Sequence, residues 1–221
     1  MERVNSHNNF YYFTASLIFL TIISAVVSSS PDGENHRLLQ GVLFLTELVA
    51  YFTLNLSKRW RQFVISMAAL TIIANIMREF TQWSVGPMTG LVVVLIFYCG
   101  MAYAAARQVL FTGETEPNTV MGAFVVYLLM GLIWAMLYLI ALEYWPEGIK
   151  GINYRNWNDN MGVAVYYSFV TMTTLGYGDI TPVMPVTRTL AYLQAICGTF
   201  YMAVVVASMV GALAQKSKKD P

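Results

Sequence analysis

The sequence predicts an all-α membrane protein of six transmembrane helices, with a short re-entrant helix inserted before the last of them. Three observations carry this. Of 221 residues, 57% are hydrophobic and only 11% are charged, where soluble domains carry about a quarter. Apolar runs of spanning length recur along the chain. Finally, a polar and aromatic stretch, a short apolar helix and a glycine-containing string stand where a plain loop would join the last two long helices.

A bilayer core of about 30 Å takes roughly 20 apolar residues per helix. Runs near 10–29, 38–56, 62–80, 88–111 and 119–144 meet that length, and a sixth covers about 187–214. Helices are the open-chain way to satisfy every backbone donor and acceptor in hydrocarbon. The first run ends in the small residues Ser24, Ala25, Ser28 and Ser29, a feature shared with secretory signals. Its length and the lack of a strongly basic flank favour a retained span. Cys99 and Cys197 lie inside apolar runs without ligand spacing and read as small packed hydrophobes.

Breaks separate the runs. Ser30-Pro31-Asp32-Gly33 forms a turn, Gly86-Pro87 precedes the fourth helix, and residues 112–118 form a short acidic linker. The chain thus divides into a four-helix unit over 1–111, the linker 112–118, a two-helix unit over 119–214 and a short tail, 215–221. Six crossings put both termini on one side. With that side cytoplasmic, Arg3, Lys58, Arg59, Arg61, Arg107, Lys216, Lys218 and Lys219 lie inside, against Arg37, Arg78, Lys150, Arg155 and Arg188 outside. Both termini are therefore expected in the cytoplasm of a multi-pass protein of the cell membrane. Trp60, Trp83, Trp145 and Trp157 fit interfacial belts. A net charge of +1 excludes a basic nucleic-acid platform.

Residues 146–160 are polar and aromatic, and 161–173 suit a helix too short to span. The string Thr173-Thr174-Leu175-Gly176-Tyr177-Gly178-Asp179-Ile180-Thr181-Pro182 follows. Glycines on both sides of Tyr177 allow alternating backbone signs, so successive carbonyls can face one way. Rings of such carbonyls from four chains replace the hydration shell of a potassium ion. The Thr174 hydroxyl adds a ring at the inner end, and Tyr177 turns outward to hold the aperture. One chain supplies one strand, so four subunits are implied.

The string Thr-Thr-Leu-Gly-Tyr-Gly-Asp resembles the potassium-channel signature, and the order of pore helix, filter and inner helix around it is similar to that family's six-helix, one-pore-loop plan. Tyr166-Tyr167-Ser168 resembles the family's aromatic pair. The likeness covers about residues 119–214 closely, and the first four helices in number and order only. It implies a homotetrameric pore among membrane lipids, with potassium held by carbonyls of Thr174, Leu175, Gly176 and Tyr177 within a filter ending at Gly178. It also implies filter support from Asp179 and Tyr166, a gating hinge at Gly198, and no cofactor beyond the permeant potassium ion. Leu175 replaces the valine of many members. Val170 replaces a glutamate that pairs with the filter aspartate in some, leaving Tyr166 to hydrogen-bond Asp179.

The four-helix unit resembles a voltage sensor in layout without its arginines. Its fourth helix offers only Arg107, near the inner end, which reads as a snorkelling anchor, so weak or absent voltage dependence is expected. Gly198 and Gly211 suit either a hinge or close helix packing. Glu47, midway along the second helix, is a possible intramembrane charge site. It needs a partner such as Asn75, Arg78 or Arg107, a proton, or a sensing role. Only 215–221 follow the last helix, so no cytoplasmic ligand domain is expected in this chain. Rival readings are a non-selective cation channel of the same architecture and a secondary transporter. The transporter predicts paired interruptions in two related halves, and one interruption is found. No clustered His, Asp or Ser constellation points to an enzyme.

Overall fold

The computed structural model describes residues 9–29, 36–53, 58–80, 86–111, 117–207 and 211. The turn at Ser30–Gly33, most of the linker 112–118 and the tail 215–221 lie outside the described residues. Seven α-helices are formed among the described residues: α1 Asn9–Ser28, α2 His36–Thr53, α3 Lys58–Phe80, α4 Gly86–Phe111, α5 Pro117–Tyr144, α6 Trp157–Met172 and α7 Pro185–Phe200. A π-helical segment, Tyr201–Val206, continues α7 directly. Two short strands, β1 Ile149–Lys150 and β2 Thr181–Pro182, pair antiparallel with Ile149 opposite Pro182 and Lys150 opposite Thr181.

Among the described residues, three helices have stretches long and apolar enough to cross a membrane: Asn9–Ser28, Met88–Val109 and Asn118–Tyr144. Apolar stretches of α2 and α3 cover Leu38–Thr53 and Trp60–Ile73 there. Helix α6 starts at Trp157, earlier than the 161 expected. Asn156 caps it, accepting from the Asp159 amide at 3.0 Å while its own Nδ2 donates to Asp159 Oδ2 at 2.5 Å. This satisfies orphan groups of the first turn.

Helix α5 is apolar all round and lies at the centre, as such helices do. Its Leu129, Leu132, Met136 and Leu139 are buried with Leu91, Tyr98 and Met101 of α4 and Phe13, Leu17 and Leu20 of α1. Helix α1 lies against α2, α5 and α6, whereas α3 leans on α2 and α4. In lipid, adhesion of this kind comes from close packing and interhelical hydrogen bonds. Both occur at the start of α1 and α5, where Asn118 Nδ2 donates to Asn9 Oδ1 at 2.8 Å and Gly122 leaves room for Phe10 and Val109. The packed setting expected for Cys99 and Cys197 is not found. Both are free and exposed on the single chain.

Candidate ion-coordination site

The polar and aromatic stretch after α5 is tied to the segment that follows α6. Besides the β1–β2 ladder, the Val183 amide donates to Gly148 O at 3.0 Å and Thr187 Oγ1 donates to the same oxygen at 2.7 Å. Gly151 follows β1 with φ of 93°, and a Cβ there would fall 2.6 Å from Asp179 O. Both the backbone sign and the close approach require glycine.

Between α6 and β2 the backbone alternates in sign. Thr174, Gly176 and Gly178 have φ of 58°, 56° and 81°, and Leu175 and Tyr177 between them are on the negative side. The glycines accept this freely. Thr174 is β-branched, and a left-handed conformation there costs about 1–3 kcal/mol, a strain the sequence did not announce. The amides of this strand are turned back to the last turn of α6. Thr173 N donates to Phe169 O at 3.0 Å, Thr174 N to Thr171 O at 3.1 Å, and Leu175 N and Gly176 N to Val170 O at 3.0 and 3.3 Å. No backbone hydrogen bond lands on the carbonyls of Thr174 to Gly178 among the described residues. In the single chain Leu175 is 53% and Tyr177 67% exposed. At the far end Tyr166 Oη donates to Asp179 Oδ2 at 2.7 Å.

Helix α7 is held to its own subunit in an unusual way. Its buried residues are Thr187, Gln194 and Gly198; none is a large hydrophobe. A Cβ on Gly198 would lie 2.5 Å from Met172 O, so this glycine serves a close approach between α7 and the end of α6. The π-helical segment begins three residues later. There Tyr201 Oη donates to Ala123 O at 2.7 Å, joining this segment to α5. Gln194, together with Ser168, Tyr138 and Gly131, forms a buried hydrogen-bonded cluster that no local pattern of residues foretells. A polar residue in an apolar run was the one available signal.

Glu47 is 3% exposed. Its Oε1 accepts from Thr71 Oγ1 of α3 at 3.0 Å, and its Oε2 has no hydrogen-bond partner among the described residues. The candidates Asn75 and Arg78 have side chains outside the described residues. Arg107 is exposed. The hydroxyl partner was missed because a threonine on a neighbouring helix carries no charge to draw notice.

Residues 123–215 match a family model described as an ion channel. Over these 93 of the 221 residues the chain resembles an ion-channel domain, which together with its apolar helices points to a membrane protein and to a channel, not an enzyme. Over 49 residues the chain is 43% identical to the inward rectifier potassium channel Kirbac3.1 of Paramagnetospirillum magnetotacticum, a stretch that is 22% of this chain and 16% of that relative. The match thus spans less than a fifth of the relative's length. No solved structure matches.

Proposed function

We propose that the chain is one subunit of a homotetrameric, potassium-selective channel of the cell membrane, conducting passively through a central pore. The carrying observation is the strand after α6, whose backbone alternates in sign and whose amides turn to α6, leaving the carbonyls of Thr174 to Tyr177 unbonded. Four such strands around an axis would surround a bare cation with oxygen and mimic its water. Gly178 closes the strand, and the Tyr166 bond to Asp179 braces its outer end. Likeness to a potassium channel over part of the chain supports the same ion.

In this reading α6 is the pore helix, α7 with its π-helical continuation is the inner helix, and α1 to α4 form a sensor-like unit. The six crossings have both termini in the cytoplasm. The pore domain runs over 119–214, after a linker at 112–118. Gly198 serves as a packing point whose neighbouring π-helical turn is where the inner helix bends. With Arg107 as the basic residue of α4, conduction is weakly dependent on voltage or independent of it. The permeant ion is the one ion required.

Purified protein in liposomes under a potassium gradient tests this. Barium-blocked potassium flux, with a reversal potential that follows potassium over sodium, is the expected result. Equal permeability to both ions would make the protein a non-selective cation channel. No flux from a tetrameric preparation would end the channel reading.

A further inference from the structure

We infer that Gln194 is a positioning residue that locks the inner helix to the pore helix and thereby sets the geometry of the ion-coordinating strand. The inference rests on the channel reading above and deepens it. Gln194 Oε1 accepts from Tyr138 Oη of α5 at 2.7 Å. Its Nε2 donates to both Ser168 O and Ser168 Oγ of α6, at 2.9 and 2.7 Å. Ser168 Oγ passes its own proton to Gly131 O of α5 at 2.6 Å. Tyr138, Ser168 and Gln194 are all fully buried. One amide thus joins three helices, with its acceptor and both donor directions used, in surroundings where an unmet polar group is costly.

Position on the helices gives the lock its consequence. Gln194 and Gly198 are one turn apart on α7, and they face Ser168 and Met172, which are one turn apart on α6. Thr187, two turns before Gln194, is bonded to Gly148 O. The three buried residues of α7 therefore form one stripe that meets its own subunit through hydrogen bonds and backbone contact. Large apolar packing tolerates sliding by small steps, whereas this stripe has one register. Displacement of α7 either breaks the Gln194 bonds or carries Ser168 and Met172 with it. Carbonyls of residues 169–171 on that same turn hold the amides of Thr173 to Gly176, so the displacement reaches the ion-facing oxygens.

Reversal potentials of full-length tetramers in planar bilayers, with potassium and sodium on opposite sides, test the assignment. Gln194→Leu keeps the bulk and removes the bonds. A loss of hydrogen bonds of this kind corresponds to about a tenfold fall in the potassium-to-sodium permeability ratio. Tyr138→Phe removes one bond and gives a smaller fall, and it decides the matter if Gln194→Leu does not assemble. Added to Gln194→Leu, Tyr138→Phe causes no further change, because its partner is already gone. Wild-type selectivity in assembled variants would overturn the assignment while leaving the channel reading intact. Wild-type tetramers that pass no potassium would overturn both.

Discussion

The amide of Gly162 in α6 donates to Ser28 Oγ in α1 at 2.9 Å across 134 residues of sequence, at a point where a Cβ on Gly162 would collide with the Ser24 carbonyl oxygen. The first helix of the chain is thus seated against α6, with glycine as the contact. Backbone atoms cannot swing aside as a long side chain can. Gly162→Ala is expected to cost about 1–3 kcal/mol through overpacking, read as a lower thermal midpoint of the detergent-solubilised protein. Ser28→Ala, which removes only the acceptor, should cost less. A Gly162→Ala protein as stable as wild type would show that α1 does not make this contact.

Gly176 gives a test of backbone sign with no packing in the way, since nothing lies within 4 Å of a Cβ built there. Alanine in its left-handed conformation, φ 56°, costs about 1–2 kcal/mol per subunit. Gly176→Ala should therefore abolish or strongly reduce potassium flux in liposomes while assembly persists. Normal flux would exclude this strand as the conducting surface.

Helix α4 should not sense voltage. Each elementary charge moved across 100 mV is worth about 2.3 kcal/mol, and steep sensors use three or four per subunit; the basic residue of α4 is Arg107. Conductance in bilayers is expected to change little between negative and positive potentials, and to stay so in Arg107→Gln. A steep conductance–voltage curve abolished by that substitution would place the sensor here after all.

Thr71 has one hydroxyl proton shared between Glu47 Oε1 and Met67 O, at 3.0 and 2.9 Å. Thr71→Val removes the carboxyl's donor and should destabilise the protein by about 1–3 kcal/mol. Glu47→Gln keeps the shape without a charge to bury, so it should cost less or raise stability. Thermal unfolding of the two variants side by side decides; a larger loss in Glu47→Gln would reveal a charged partner.

Tyr154, in the loop between α5 and α6, donates to Glu143 Oε1. Burial first, then that hydrogen bond and the nearby carboxylate, push its phenol above the ordinary value. The folded state thus favours the neutral phenol. The stabilisation is present in full below the unfolded pKa of about 10 and is lost as pH rises above it towards the folded value. Unfolding midpoints measured from pH 8 to 11 should fall less steeply in Tyr154→Phe than in wild type. Parallel curves would show that Tyr154 ionises alike in both states.

Long helices were legible because an apolar run has few other ways to satisfy its backbone, and α1, α4 and α5 follow their runs closely. The alternating backbone of residues 174–178 was legible because glycines on both sides of a tyrosine permit positive φ, and Gly176 and Gly178 adopt it. Relations between segments were not. Nothing local tells Ile149 to pair with Pro182, or Gln194 to meet Tyr138 and Ser168, since those bonds exist only once three helices have been brought together. Thr174 shows the same limit at a single residue. Its left-handed backbone runs against its own preference and is imposed by the amide bonds to α6.

The two-residue ladder at Lys150 and Thr181 turns residues 151–180 into a ring fastened at its neck. Helix α6 and the strand after it are both links of that ring, so neither can be drawn along its axis without undoing the clasp. Rearrangement inside it is left with small moves, such as the rotation of one peptide plane at a time.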